Sequence, residues 1–174
     1  MFFLVMVIIG LYFTMKSVRT AKGTVEKSFC GIGKIENDFE KAGAMREKRC
    51  VVYVSLSLDG MKRLYSELKA GRMYEQIKKI LFSHLCLDIG GEISLYGAEN
   101  FVALNKLESG EVAQCIDKCF EEINEIFTSH GAVNVVRINF GYHQTSSTDV
   151  SFKTALSDMK DSVSGYFIGR RYAI

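Results

Sequence analysis

The stretch from Ser94 to Leu104 constrains the fold of this chain more than any other. Two apolar runs flank Gly97-Ala98-Glu99-Asn100, a short acidic segment that contains a glycine. Apolar runs on both sides of such a segment predict two antiparallel strands joined by a tight turn, a β-hairpin. A turn of this kind can also present a carboxylate to a metal-bound nucleotide. The hairpin is therefore both a constraint on the fold and a candidate site.

Hydrophobic periodicity predicts helices and strands around the hairpin. Gly71 separates two helical patterns, and alternation over 136–142 predicts a strand with one buried face. This order of elements predicts an α+β fold, a central and mostly antiparallel sheet flanked by helices. The predicted elements are, in order, a helix over 32–46, a strand over 50–58, helices over 61–68 and 73–85, the hairpin, a helix over 112–127, a strand over 136–142, a helix over 152–163 and an edge strand within 166–173.

Composition and charge exclude several classes of protein. The net charge is +2, and the basic residues are interleaved with acidic ones, so no nucleic-acid partner is predicted. The chain has five cysteines, an odd number with no CxxC pair. Neither a disulfide framework nor a zinc ribbon is therefore expected, and a reducing cytoplasm fits best.

The first 15 residues carry no charge and are almost entirely apolar, which favours a transmembrane segment. A helix of this length covers about 22 Å of a roughly 30 Å hydrocarbon layer, so the span is completed by tilt or belongs to a longer segment. Basic residues follow it and predict that the rest of the chain faces the cytoplasm from the cytoplasmic membrane. The predicted organisation is a membrane segment at 1–15, a juxtamembrane connector at 16–30 and one domain at 31–174. The alternative is a buried N-terminal helix of a soluble core.

The strand, turn and helix at 51–68, followed by the hairpin, resemble the GGDEF family of bacterial diguanylate cyclase domains. The agreement in element order extends from about residue 29 to residue 172. The resemblance implies the palm-like fold of nucleotide cyclases. It also implies a reaction in which two GTP-loaded domains meet face to face and, with Mg²⁺ or Mn²⁺, join their nucleotides into cyclic di-GMP.

The resemblance places candidate site residues at the end of the first strand and in the hairpin. It implies metal binding by Glu99, with Asp59 as a substitute ligand. The nucleotide-binding residues that it implies are Gly60, Met61, Lys62, Gly97, Ala98 and Glu99. GTP with Mg²⁺ or Mn²⁺ is the implied ligand if a nucleotide site survives.

Several positions depart from the family pattern. In the hairpin, Ala98 replaces the second glycine and Asn100 replaces the fourth-position acid. The metal-binding Asp of the first strand becomes Ser57, and the two base-reading positions carry Tyr65 and Tyr74. An amide or a tyrosine lacks the charge of a carboxylate, so these changes predict a degenerate site with no catalytic residues. The inhibitory Arg-x-x-Asp pattern, which falls on 88–91, is absent, and the phosphate-binding Lys aligns near residue 165.

Three functional hypotheses follow from these residues. The first is a membrane-anchored, degenerate GGDEF domain that regulates or dimerises in cyclic-di-GMP signalling. The second is a weakly active diguanylate cyclase, and the third is a domain that binds GTP without converting it. The implied partners are the membrane, a second copy of the chain or an adjacent phosphodiesterase-type domain, and GTP.

Overall fold

The computed structural model describes residues 29–57, 62–63, 65–130, 138–145, 150–163 and 171–173. A five-stranded sheet, in the order β2-β3-β1-β4-β5, forms its centre. The strands are β1 (Cys50–Leu56), β2 (Glu92–Tyr96), β3 (Asn100–Asn105), β4 (Ile138–Gln144) and β5 (Arg171–Ala173). All neighbouring pairs are antiparallel except β4 and β5, which are parallel. The predicted α+β arrangement is confirmed.

Helices cover both faces of the sheet. The helices are α1 (Ile32–Ala44), α2 (Glu67–Phe82), α3 (Ser109–Ser129) and α4 (Phe152–Val163). One face packs against α2 and α3, with Val52, Phe101 and Phe140 in its core. The other face packs against α1 and α4, with Val51 and Val102 in its core. Because alternate residues of a strand point to opposite faces, β1 is buried on both sides and reads as a continuous apolar run.

The helix after β1 begins earlier than the periodicity indicates. The periodicity predicts that the second of the two helices after β1 begins after Gly71, but α2 begins at Glu67 and continues through that glycine. Leu68 therefore belongs to α2. In the first predicted helix, over 61–68, the residues described as helical are 62 and 63, and then 67 and 68 at the start of α2. A single glycine weakens a helix without ending it when neighbouring turns pack against a core, as Ala70 and Met73 do here.

The strand predicted with one buried face is buried more completely. The structure describes it as β4, in which Ile138 and Phe140 lie on one face and Asn139 and Gly141 on the other, and all four are buried. The sequence alternation is real, but α4 covers the second face as well.

The predicted anchoring in the cytoplasmic membrane is wrong. Throughout the ranges given above, no helix is long and apolar enough to cross a bilayer. The longest, α3, has 21 residues but carries charged side chains, among them Glu111, Asp117 and Glu125. The segment at 1–15 lies outside the described residues.

The end of the predicted connector packs on the domain. The ring of Phe29 lies 5.9 Å from that of Phe82 and 6.2 Å from that of Phe101. The backbone N–H of Cys30 donates to the carbonyl of Ile93 at 2.9 Å. Residues 29 and 30 therefore belong to the fold, and residues 16–28 lie outside the described part.

Candidate functional site

The predicted hairpin is present, and its turn is short. Strands β2 and β3 pair from Glu92 opposite Leu104 to Tyr96 opposite Asn100, which leaves residues 97–99 as the turn. Gly97 has φ +72°, in the left-handed region that glycine adopts without strain. This explains why the first glycine of the turn is retained while the second position accepts Ala98.

Tyr74 on α2 contacts the turn directly. Its hydroxyl donates to the backbone carbonyl of Ala98 at 3.3 Å, and its ring lies 6.0 Å from that of Phe101. Burial raises the pKa of the Tyr74 hydroxyl, and the charges of Glu75 and Glu99 raise it further. A neutral hydroxyl therefore occupies this place next to the hairpin, where the resemblance implies a carboxylate that reads the base.

Tyr65 is also engaged by the chain itself. Its hydroxyl donates to the backbone carbonyl of His130, just past the end of α3, at 2.9 Å. The ammonium of Lys69 lies 4.4 Å from the centre of the Tyr65 ring, within the range of a cation–π interaction. Tyr65, at the first of the two base-reading positions that the resemblance implies, thus contacts both the start of α2 and the residue that follows α3.

The metal-binding positions that the resemblance implies, after β1 and in the hairpin, carry little charge. Ser55 of β1 lies opposite Asn100 in the register, so Ser57 follows two residues beyond that pair, towards the turn. Ser57 and Asn100 are uncharged, and Glu99, which is half-buried, is the acid of the turn. Among the described side chains no three His, Cys, Asp or Glu residues cluster as a metal site requires. Of the metal-binding positions that the resemblance implies, those in the described part of the chain therefore supply one charged ligand, Glu99.

The other predicted site residues are only partly described. Asp59, Gly60 and Met61 lie outside the described residues. Lys62 is helical and exposed. The structure therefore brings together Gly97, Ala98 and Glu99 with Tyr74, a set that includes two of the departures from the family pattern, Ala98 and Tyr74. The metal and nucleotide roles of the predicted residues stay predictions.

Lys160 lies at the hairpin, although it is not among the predicted site residues. Its ammonium, on α4, donates to the hydroxyl of Tyr96 at 2.7 Å and lies 4.3 Å from the centre of that ring. Tyr96 directly precedes Gly97, so this cation sits beside the end of β2. A signal was present, because Lys160 follows Leu156 by one helical turn, at the border of the buried side of α4. The phosphate-binding Lys had been placed near residue 165, which lies outside the described residues.

Lys78 is a second cation close to the site. Only 5% of this residue is exposed. Its ammonium forms an ion pair with Glu75 at 3.2 Å and lies 5.4 Å from the Tyr74 ring and 5.9 Å from the Phe29 ring. Lys78 therefore links the neighbours of the hairpin to the start of the described chain.

At the opposite end of β2, close packing surrounds residues 88–91, on which the family's Arg-x-x-Asp pattern would fall. Asp88 binds the Nδ1 of His84, whose Nε2 binds Glu122 of α3, both at 2.8 Å. Gly91 has no room for a side chain, because an added Cβ would lie 2.0 Å from the Oδ1 of Asn105. These contacts hold the end of α2 on α3 and β3.

Comparison with solved structures identifies the class of fold. The chain has the fold of GGDEF domains, an α+β sheet covered by helices, as the element order predicted. No family model matches the sequence, and no curated protein matches it.

Three solved structures illustrate the similarity. The GGDEF domain of DgcB from Caulobacter crescentus, in complex with c-di-GMP, has a TM-score of 0.61 at 13% identity, over 83% of this chain and 91% of that one. An active GGEEF domain of a diguanylate cyclase from Vibrio cholerae has a TM-score of 0.59 at 12% identity, over 78% and 89%. The diguanylate cyclase SiaD from Pseudomonas aeruginosa, in complex with its activator SiaC, has a TM-score of 0.58 at 11% identity, over 96% and 70%.

Proposed function

We propose that this chain is a catalytically degenerate GGDEF domain that acts as a regulatory and dimerising module in cyclic-di-GMP signalling. One observation carries the proposal. Tyr65 and Tyr74, at the two base-reading positions, both donate their hydroxyl protons to the chain's own backbone carbonyls. A tyrosine oxygen that donates in this way can still accept a hydrogen bond, but neither side chain offers the paired oxygens of a carboxylate to the N–H groups of a guanine.

The charge of the hairpin supports the same proposal. Phosphoryl transfer depends on metal ions that neutralise charge on the phosphates, and those ions need oxygen ligands that carry charge. Ser57 and Asn100 supply none, so Glu99 alone is left in the described part of the site. Each lost interaction with a developing charge typically lowers turnover by orders of magnitude.

The test is an activity assay on the purified full chain with GTP and Mg²⁺, and separately with Mn²⁺, beside an active GGDEF-domain cyclase as control. We expect no cyclic di-GMP from this chain under conditions in which the control converts its substrate. Clear production of cyclic di-GMP would refute the proposal. If the product also disappeared in the Glu99→Ala variant, the weakly active cyclase would replace it.

Binding of a nucleotide without turnover is a second candidate, and Lys160 favours it. Its ammonium lies beside the hairpin, where it can meet a phosphate. Since Tyr65 and Tyr74 do not read guanine, we expect weak binding that does not distinguish GTP from ATP. Calorimetry with the Lys160→Met variant tests this, with Lys153→Met on the exposed side of α4 as the matched control. No heat from either nucleotide at millimolar concentration would exclude this candidate.

A further inference from the structure

The outer side of α2, away from the sheet, forms a shallow groove of about 750 Å³. The lining residues within the described part of the chain come from α2 and recur at helical spacing, so they form one stripe. Leu68 in this stripe is 69% exposed, an unusual degree for a large apolar side chain in an ordered helix. The α2 groove, as we call it, is lined by Glu67, Leu68, Gly71, Arg72, Glu75, Gln76 and Lys79.

Gly71 lies in the middle of this stripe and has no role in the packing described above. A glycine inside a helix costs about 1 kcal/mol relative to alanine. Gly71 is exposed, and an added Cβ would meet nothing within 4 Å. The described fold therefore does not require glycine here. A missing side chain on a helix surface does allow a second backbone to approach closely.

Of the charged residues that line the α2 groove, one forms an ion pair within the described chain and three do not. Glu75 forms an ion pair with Lys78 at 3.2 Å. Glu67, Arg72 and Lys79 form no ion pair with any residue of the described ranges. The groove thus has an acid near its first turn, a base near its last turn, and a base and an acid close to its middle.

We propose that the α2 groove is the surface through which two copies of this chain form a dimer, with the two α2 helices antiparallel about a two-fold axis. The charge pattern is complementary to itself in that arrangement. The midpoint between Glu67 and Lys79 along the helix is residue 73. The midpoint between Arg72 and Glu75 lies within one residue of it. One axis therefore brings each acid opposite a base of the second copy. Gly71 lies near the axis, where the helices are closest.

A parallel arrangement lacks this match. It would place each Glu67 beside the Glu67 of the second copy, about 18 Å along the helix from the nearest Lys79. Like charges in direct contact across an interface are unfavourable. In the antiparallel arrangement Leu68 instead reaches the level of the aliphatic stem of Lys79, which covers apolar surface while its ammonium stays in water.

The dimer is expected to be weak. One helical stripe buries less than the roughly 1,000 Å² typical of stable interfaces. We therefore expect a dissociation constant on the order of 10 to 100 μM. Because the ion pairs are exposed, added salt should weaken the dimer further.

Charge exchange in the full chain tests the proposal, with sedimentation velocity from about 1 μM to about 1 mM as the measurement. Glu67→Lys and Lys79→Glu each place like charges in contact and should raise the dissociation constant at least about tenfold. The double variant restores both pairs and should return it to within about threefold of the original. Glu121→Lys, an exposed change on α3, should leave it unaltered.

Gly71→Leu provides a test that does not depend on charge. Leucine favours a helix over glycine by roughly 0.8 kcal/mol, so this variant should fold at least as stably as the original chain. Its side chain should nevertheless keep the two helices apart and abolish the dimer. A chain that is monomeric up to about 1 mM, a double charge variant that does not recover, or a Gly71→Leu variant that still dimerises would each overturn the proposal.

The α2 dimer rests on the dimerising role in the proposed function, but it depends on no nucleotide chemistry, so sedimentation tests it separately from the inactive site. Production of cyclic di-GMP would refute the degenerate site and leave the α2 groove untouched. A chain that stays monomeric would remove this surface and the dimerising role together, and would leave the inactive site as proposed.

Discussion

Tyr65 and Tyr74 are half-buried aromatic residues whose hydroxyl groups donate to carbonyls far away in the sequence. Their rings also contribute to packing, because both contact the core beneath α2 and α3. If the site is degenerate as proposed above, each tyrosine stabilises the domain and replaces a ligand contact at the same time. At the residue scale, the proposed loss of the site and the observed packing of these two tyrosines then have the same cause.

The Tyr65→Phe variant measures this contribution. It removes the hydroxyl that donates to His130 and leaves the ring under Lys69 in place. We expect the free energy of unfolding to fall by about 1 kcal/mol, the typical value of a hydrogen bond between neutral groups. Urea unfolding followed by circular dichroism is the measurement. Tyr142→Phe is the control, since its hydroxyl forms no hydrogen bond within the described chain. Equal losses in the two variants would contradict the prediction.

At the scale of elements, α2 and the segment after it connect the hairpin to the rest of the domain. The helix ends in a π-helical turn, Ser83–Leu87, which reaches Gly91 at the start of β2. Gly91 lies so close to Asn105 and to the carbonyl of Leu85 that only glycine fits. The position of the hairpin therefore depends on a close contact at the far end of β2.

Gly91→Ala tests this contact. Its methyl group would lie 2.0 Å from the Oδ1 of Asn105 and 2.5 Å from the backbone oxygen of Leu85, so the π-helical turn or β3 must move. We expect a loss of about 1–3 kcal/mol in the free energy of unfolding. Gly43→Ala, in α1 with nothing within 4 Å, is the matched control and should be neutral or stabilising. If thermal unfolding shows the same shift in midpoint temperature for both variants, the steric requirement for glycine at residue 91 is refuted.

At the scale of the whole molecule, β1 connects two hydrophobic layers. Val52 and Val54 pack under α2 and α3, while Val51 and Tyr53 pack under α1 and α4. Because the same strand supplies both layers, neither layer can lose its packing without disturbing the other. We therefore expect the described domain to unfold as one cooperative unit.

Two core variants check this cooperativity. Ile35→Ala on α1 and Ile116→Ala on α3 remove fully buried side chains from opposite layers. Each should lower the free energy of unfolding by about 2–5 kcal/mol and shift one common transition. The chain has no tryptophan, so tyrosine fluorescence and far-ultraviolet circular dichroism are suitable probes. Separate transitions for the two probes in either variant would show that the layers unfold independently.

The order of the strands, the hairpin with Gly97 and the uncharged residues at the candidate site could all be predicted from the sequence. These are local properties, since periodicity and turn chemistry depend on neighbours in the chain. The tertiary structure decided the rest. It showed that α2 continues through Gly71, that β4 is covered on both faces, and which carbonyls Tyr65 and Tyr74 bind. It also brought Lys160 from the last helix to the hairpin. These features depend on contacts between residues far apart in the sequence, which no local pattern contains.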